Sequence, residues 1–475
     1  VALSTAGGSQ MPPSEIPAMK HKRAAFRTIG CKLNQCETAQ MQETLRASGY
    51  DLVDWDAPAD IRVLNTCTVT AKSDRTCRRE IRLARRLDPE CLVAVTGCYA
   101  QVDPNTVAAI PGVDLVLGNT EKLQLAKYLD RLHAGREADP VPGAPMTVVG
   151  EYPAHPDFDS EFITHFYGYT RAFLKIQTGC DSHCSYCVIP LARGPARSLP
   201  EPQVIEQVRL LGREDFREVV LTGINLGSWG RDSNEAGRPA TGEGRLPELL
   251  DALVHEGDVT RYRLSSIEPL EVDRRLLDAV DRAGDRVAHH FHLPLQSGSD
   301  SVLGRMNRPY VAGEYAVVVS ELRRRFPDAA IGADVIVGFP GETEDEFIQT
   351  YDLVERSPLT YLHVFSYSDR PGTAASRMGG KVHPEAMQGR SARLRDLGAA
   401  KNETFHEQFL GRELQALVLR ERADDGRLVA LTGNYIEVLL AGDDSLMNRF
   451  AQVRIEGPGE AGRWEATISR AEAAA

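Results

Sequence analysis

Cys180, Cys184 and Cys187 form a C-x-x-x-C-x-x-C run directly after a strand-like segment, Phe173-Leu-Lys-Ile-Gln-Thr-Gly179. One short loop presenting three thiolates can hold three irons of a four-iron cubane, and soft thiolate suits that chemistry. No fourth cysteine follows nearby, so one iron is left open. Simple electron carriers give every iron a protein ligand. An open iron therefore implies a cluster that does chemistry on a ligand. The competing fates are a zinc knuckle or three inert buried thiols. Zinc favours a C-x-x-C pair with a second pair further on. Here C-x-x-C occurs only at Cys184 and Cys187.

Three further cysteines sit at equivalent places in the first part of the chain. Strand-like segments at 25–29, 61–65, 92–96 and 113–117 alternate with helix-like segments at 37–47, 70–87, 104–110 and 122–132. That alternation predicts a parallel, doubly wound sheet over residues 24–132. Ligands on such sheets sit beyond the carboxyl ends of the strands. Cys31 follows the first strand, Cys67 the second and Cys98 the third. Three well-separated thiols thus converge on one sheet edge, which points to a second three-thiolate cluster. Cys91 starts the strand that Cys98 follows, roughly 23 Å away at ~3.3 Å per residue, so it is a core or edge thiol. Cys77 is expected to pack from a helix, and Cys36 stays outside the ligand set.

A Pro- and Gly-containing linker is expected over 133–167, and a disordered leader over 1–23. From 168 to 409, six strand-like segments each precede a helical stretch, which predicts a partial (β/α)6 barrel. Catalytic groups on such barrels lie at the carboxyl ends of strands. The cysteine loop lies there, as do the turns at Thr222–Asn225, Ser265–Glu268, Gln296–Ser299 and Gly338–Glu342. Residues 410–471 carry short alternating runs separated by turns and read as a small β-barrel, a shape that often binds RNA.

Charge narrows the partners. The 475-residue chain has a net charge of −12, against a general DNA binder. Between Lys72 and Arg86, however, stand seven basic residues and two acidic ones. Arg75, Arg78, Arg79, Arg82 and Arg86 share one helical face, with Cys77, Ile81 and Ala84 on another. That stripe is either an RNA contact or a solvated face. No apolar run approaches a membrane span. Nine cysteines without an apolar signal segment point to a reducing, cytoplasmic setting.

Together these motifs resemble the radical S-adenosylmethionine (SAM) methylthiotransferases. The resemblance rests on Gly30-Cys31, Asn65-Thr-Cys67 and Gly97-Cys98, on the Cys180/Cys184/Cys187 loop with Tyr186 before its last cysteine, and on a terminal segment similar to a TRAM domain. It runs from about residue 24 to the end. Within the family the chain most resembles the branch acting on N6-threonylcarbamoyladenosine. The signs are Gly30-Cys-Lys-Leu-Asn34, Val95-Thr-Gly-Cys-Tyr-Ala-Gln101, Pro190-Leu-Ala-Arg-Gly-Pro-Ala-Arg-Ser198 and His363-Val-Phe-Ser-Tyr367. The isopentenyladenosine branch tends to carry Tyr-Thr-Arg-Gly and Gly-Gln-Asn-Val, where this chain has Leu191-Ala-Arg-Gly194 and Gly223-Ile-Asn-Leu226.

The resemblance implies two 4Fe-4S clusters, on Cys180/Cys184/Cys187 and on Cys31/Cys67/Cys98, with two SAM per turnover. The first cluster reduces SAM to a radical that takes hydrogen from C2 of adenosine 37 of tRNA. The second carries the sulfur that one SAM methylates and the substrate receives. A flavodoxin- or ferredoxin-like protein would supply electrons. By resemblance and rim position, Thr222, Gly223 and Asn225 meet the methionine end of SAM, Ser266 and Glu268 its ribose, and Asp334, Ile336 and Gly338 its adenine, with Gln296 lining the site. Arg193 and Arg197 are expected at the substrate base or its threonylcarbamoyl carboxylate, since an arginine fork suits a carboxylate. Arg75, Arg78, Arg79 and Arg82 are the expected tRNA contacts. Isopentenyladenosine in tRNA or a ribosomal protein remain alternative substrates. An iron–sulfur protein that only carries electrons or sulfur is the alternative of another class, distinguished by its lack of SAM binding.

Overall fold

A computed structural model describes residues 22–138, 145–153, 158, 162–232 and 243–471. The expected leader lies outside them, apart from Lys22 and Arg23, which open the first strand. Strands β1 (Lys22–Thr28), β2 (Tyr50–Val53), β3 (Ile61–Thr66), β4 (Leu92–Gly97), β5 (Leu115–Leu117) and β6 (Met146–Val148) form one sheet in the order β2-β1-β3-β4-β5-β6. Every pairing is parallel. All residues of β3 and β4 are buried, as expected of a parallel sheet covered on both faces. The covers are α1 (Lys32–Ala47), α2 (Ala71–Leu87), α3 (Cys98–Val102), α4 (Pro104–Ala108) and α5 (Leu125–Ala138). Two strands escape the sequence pattern. β2 and β6 are short, partly exposed edge strands with no apolar run, and β6 comes from the segment expected to be linker.

The strand order reverses at β1, between β2 and β3. Cys31 and Cys67 end the two adjacent strands β1 and β3, and Cys98 ends β4 beside them. The cysteine edge is therefore the topological switch point, where such sheets open a crevice.

The second unit carries six parallel strands: β7 (Ala172–Lys175), β10 (Glu218–Thr222), β11 (Arg261–Leu264), β12 (His290–His292), β13 (Ala330–Val337) and β14 (Tyr361–Ser366). β7, β10 and β11 form one arc and β12 to β14 another. Parallel bridges Tyr262–Val287 and Ser266–His292 join the arcs into the open barrel expected from the sequence. A two-strand clamp, β8 (Gln177–Thr178) with β9 (Arg197–Ser198), closes the base of the cysteine loop. That loop also contains the short helix α6 (Ile189–Arg193).

The terminal unit is a closed barrel, β15-β16-β17-β19-β18, of β15 (Glu413–Arg422), β16 (Leu428–Thr432), β17 (Glu437–Leu440), β18 (Phe450–Pro458) and β19 (Trp464–Ala471). The sequence pattern marks the first four strands. β19 closes the barrel by pairing with β17 and β18.

A buried ion network docks this barrel on the second unit. Glu218 is fully buried and pairs with Arg261 and Arg263. The same arginines donate to main-chain oxygens of the terminal barrel: Arg261 to Leu431, and Arg263 to Thr432 and Gly433, at 3.0–3.1 Å. Burial alone would raise the Glu218 carboxyl. Arg261, Arg263 and Arg171 outweigh it and hold the group well below the usual carboxylate range. Glu218→Gln leaves the arginines unopposed in the interior, so we expect a loss of about 3–5 kcal/mol of stability, read by denaturant unfolding. Because the folded pKa is depressed, the wild-type contribution is complete above the ordinary glutamate pKa of about 4.3 and fades only as pH falls below it. The variant lacks that acid limb.

Candidate active site

The auxiliary cysteines are set by local backbone demands. Cys31 caps α1, and Cys98 is the first residue of α3. The glycines before them are required. Gly30 has φ +124°, and a Cβ there would stand 2.8 Å from Cys67 Cβ; Gly97 has φ +96°, and a Cβ there would stand 2.4 Å from the Thr66 carbonyl oxygen. Each glycine lets one cysteine loop pass close against the next.

The three thiols feel one another. Burial pushes the Cys67 thiol up to about 12, with Cys98 and Cys31 adding to it. Cys31 opens onto a cavity yet is surrounded by protein; burial raises it, Arg193 lowers it and Cys98 raises it. In the barrel loop, burial and then Cys184 and Cys180 push Cys187 up to about 12. Such thiols hold their protons until a metal displaces them. Among the described residues, the one group of three ligand atoms mutually within 4.8 Å is His292, Asp334 and His363. Neither cysteine triad is that tight. A single zinc with ligands at ~2.3 Å needs tighter convergence, whereas a cluster takes one thiolate per iron. The cysteine triads are therefore not gathered as the ligands of one such ion.

The barrel loop is gripped by the turn after residue 304. Ser185 N donates to Met306 O at 2.9 Å, Ser185 Oγ to Arg305 O at 2.8 Å, and Asn307 Nδ2 to His183 O at 2.8 Å. Arg308 Nη1 reaches Cys184 Sγ at 3.3 Å while its Nη2 pairs with Glu268. Tyr186 is packed with Met306, Val302 and Phe339 beneath the loop.

Arg193 and Arg197 have different places from those expected at the substrate. Arg193 is 2% exposed. Its Nη1 donates to Glu37 Oε1 at 2.7 Å, and its Nη2 to Asn34 Oδ1 at 2.7 Å and Glu37 Oε2 at 3.1 Å. Lys122 and Lys175 join the same carboxylate at 2.6 and 3.6 Å. Arg197 is buried over the Tyr152 ring and donates to the carbonyls of Arg193 and Pro195. Both Nη groups of Arg193 are filled, Arg197 donates through Nη1 to main-chain carbonyls, and neither residue lines the large cavity described below.

One cavity of about 1420 Å³ joins the three units. Cys31 and Cys67 line it from the first sheet, Thr222, Gly223, Ser266 and Asp334 from the barrel, and Tyr435 from the terminal unit. It exceeds the ~300–1,000 Å³ of a small-molecule pocket, leaving room for a nucleotide. Thr222 Oγ1 on the cavity wall, Asn225 Oδ1 in the same turn, and Oε2 of Glu271, whose Oε1 accepts from Asn225 Nδ2 at 3.0 Å, are buried oxygens without partners. Three orphan acceptors suit a donor such as the ammonium of a SAM methionine. Other residues expected at SAM have partners within the protein. Asp334 holds His292 at 2.9 Å and His363 at 3.3 Å, and Glu268 is held by Arg308. Ile336 packs against the Tyr186 group. Gln296, at φ +66°, exchanges backbone bonds with Asp334 and Ile336. Gly338 N donates to Glu342 at 2.7 Å.

The α2 stripe divides. Arg75, Arg79 and Arg82 are exposed, and Cys77, Ile81 and Ala84 are buried as expected. Arg78 donates to Tyr99 Oη, and Arg79 pairs with Glu80. Lys72 and Arg75 line the cavity mouth. Cys77 and Cys91 are buried, Cys77 donating to Cys67 O at 3.4 Å. Cys36 lies in the core between α1 and the barrel.

Residues 23–118 match the family described as Uncharacterized protein family UPF0004, and residues 174–354 match the Radical SAM superfamily. Threonylcarbamoyladenosine tRNA methylthiotransferase MtaB of Aquifex aeolicus (strain VF5) is 40% identical over 419 residues, covering 88% of this chain and 96% of that protein. The chain belongs to the radical-SAM methylthiotransferase family. A Maricaulis maris (strain MCS10) relative, tRNA-2-methylthio-N(6)-dimethylallyladenosine synthase, is 32% identical over 442 residues, covering 92% and 95% of the two chains. The radical SAM methyltransferase TsrM from Kitasatospora setae shares the fold, with a TM-score of 0.53 at 16% identity over 75% of this chain and 77% of that one. This methylthiotransferase uses SAM and an iron–sulfur cluster. Among its described residues no helix is long and apolar enough to cross a membrane.

Several site residues of this methylthiotransferase carry no periodic signal: Arg308, Glu37, Glu271 and the His292–Asp334–His363 group. Arg308 lies in Met306-Asn-Arg-Pro-Tyr310, where Asn307 at φ +56° makes the turn; the turn is legible, its target is not. Burial pushes the Glu271 carboxyl up to about 7, against the lowering by Arg231 and Asn225. Its carboxylate therefore forms as pH rises through about 7. SAM binding, measured by anaerobic calorimetry, should tighten between pH 6 and 8, and Glu271→Gln should flatten the part of that rise due to the protein.

Proposed function

We propose that this chain methylthiolates C2 of N6-threonylcarbamoyladenosine 37 in tRNA, with a 4Fe-4S cluster on each cysteine triad and two SAM per turnover. The observation that carries this reading is the shared cavity: Cys31 and Cys67 open onto the same space as the barrel rim. A pure electron or sulfur carrier has no use for a nucleotide-sized chamber between its cysteines and a second site. Bound together, those groups supply reductive SAM cleavage, hydrogen abstraction and sulfur insertion.

The protein's own part is positioning. Cys180, Cys184 and Cys187 hold the first cluster, with Arg308 donating to Cys184 Sγ and so orienting it. Cys31, Cys67 and Cys98 hold the second, with the Arg193 guanidinium as the positive charge beside them. Thr222, Asn225 and Glu271 face the ammonium of SAM, and Gly223 and Ser266 line its approach. Substrate enters from the cavity mouth, where Lys72, Arg75, Arg395 and Arg420 stand without carboxylate partners among the described residues. These cations come from all three units and suit a phosphate track. A cytoplasmic flavodoxin- or ferredoxin-like protein supplies the electrons.

Nucleoside mass spectrometry of tRNA from cells with and without the protein identifies the product: loss of 2-methylthio-N6-threonylcarbamoyladenosine supports the reading, and loss of the isopentenyl counterpart, or of a ribosomal-protein modification, overturns it. Anaerobically reconstituted protein should bind about eight irons. Replacing Cys180, Cys184 and Cys187 by Ala should halve that and abolish SAM cleavage. Replacing Cys31, Cys67 and Cys98 by Ala should also halve it but leave reductive SAM cleavage without sulfur insertion.

The tRNA track has its own readout. Each phosphate contact contributes ~0.9 to the slope of log affinity against log salt. Replacing Arg75, Arg395 and Arg420 by Gln should flatten that slope by up to ~3 contacts. Replacing Arg78, Arg79 and Arg82 should flatten it less, because Arg78 and Arg79 already have partners. Equal slopes for all variants would return these side chains to a solvated face.

A further inference from the structure

Apart from the cysteine thiolates, the side-chain charges beside the cavity do not balance. Glu218 faces Arg261, Arg263 and Arg171 at the base of the barrel. Lys32 extends toward the same group from the first turn of α1, with Arg171, Arg263 and Glu218 as its charged neighbours besides Cys31. Four cations thus gather around one carboxylate. Arg261 and Arg263 are occupied by Glu218 and by terminal-barrel carbonyls. Arg171 is held more loosely: its Nη1 is ion-paired with Glu218 at 3.6 Å but makes no hydrogen bond. Lys32 has no hydrogen-bond or ion-pair partner among the described residues. Both side chains line the cavity. The other cavity carboxylates are engaged elsewhere, Asp334 with His292 and His363, and Glu421 with Arg463.

Lys32 and Arg171 are only partly buried and face the cavity, where cations without a close hydrogen-bond partner favour an anionic ligand. We propose that Lys32 and Arg171 form the subsite for the carboxylate borne by the threonylcarbamoyl group of the substrate, the role the sequence suggested for Arg193 and Arg197. This rests on the function proposed above and names the residues that set its specificity. Lys32 follows Cys31 directly, so the carboxylate is held beside the auxiliary site while the base lies in the cavity. Lysine offers a point charge, and arginine a planar fork. A dimethylallyl group carries no charge and would leave both cations without an anionic ligand, so the same subsite rejects it.

The test uses reconstituted holoenzyme and three tRNAs: one with threonylcarbamoyladenosine, one with its carboxylate converted to the neutral carboxamide, and one with dimethylallyladenosine. Methylthio product is measured by nucleoside mass spectrometry. Lys32→Met and Arg171→Gln should each lower kcat/KM on the natural tRNA about 10- to 100-fold, the scale of a charge-assisted hydrogen bond in a water-excluded site, mainly through KM. The carboxamide tRNA, already poor with wild type, should lose no more. Lys32→Arg should restore most of the activity, and iron content in Lys32→Met should match wild type. Equal losses on acid and carboxamide, or iron loss in Lys32→Met, assign Lys32 to the cluster or the fold and overturn the subsite. Wild type equally active on acid and carboxamide overturns it too. Wild type active on dimethylallyl tRNA but not on threonylcarbamoyl tRNA overturns the proposed function, and the subsite with it.

Discussion

Glu37 is a buried carboxylate held by cations from three separate segments. Lys122 comes from the turn before α5 in the first unit, Lys175 from the first barrel strand β7, and Arg193 from α6 within the cysteine loop. Burial works against the charge, and the three cations overcome it and hold the group far below the usual carboxylate range. Removing one partner of such a network strands the rest, at a cost of about 3–5 kcal/mol. The network therefore specifies one arrangement of the two cysteine-bearing units. Through Arg193 it also reaches Asn34, whose Nδ2 donates to the carbonyls of Ile29 and Thr66, next to Cys31 and Cys67. One carboxylate thus ties the auxiliary loops to the radical-SAM loop.

Both units place their chemistry by the same rule. In a parallel sheet the loops after the strands gather at one edge, and the switch point opens a crevice there. The first sheet puts Cys31 and Cys67 on either side of that crevice and Cys98 beside them. The barrel puts its cysteine loop and the Thr222–Asn225 turn, with its unpartnered oxygens, at its own carboxyl rim. The cavity exists because the two edges face each other, and the terminal barrel adds a wall through Tyr435, which stacks on His290 at 4.2 Å. The Glu218 network fixes that wall and, with Arg171 and Lys32, leaves positive charge toward the lumen.

Legibility in the sequence followed the range of the interaction. The Gly-Cys turns, the α2 helix with Cys77, Ile81 and Ala84 inward, and the six barrel strands all rest on local preference or short period. β2 and β6 were missed because short, exposed edge strands carry little apolar pattern. β19 was missed as a separate strand because closing the barrel depends on distant partners in β17 and β18. Arg193 and Arg197 were placed at the substrate because an arginine fork after the cysteine loop suits a carboxylate. The sequence could not reveal that Glu37, 156 positions earlier, already fills that fork.

By itself the sequence determined the parallel-sheet units, the positions of Cys31, Cys67 and Cys98 after strands and of Cys180, Cys184 and Cys187 in one loop, and the family. Those features depend on residue type at fixed local spacing: glycine before cysteine, cysteine after strand, and three thiolates within one turn of chain. The tertiary structure alone decided which charges are consumed and which remain free. Arg193 is taken by Glu37, Asp334 by two histidines and Arg308 by Glu268, while Lys32 and Arg171 are left facing the cavity. The physical reason is that a buried charge must find its partner wherever the fold brings one, and sequence separation says nothing about which partner that is.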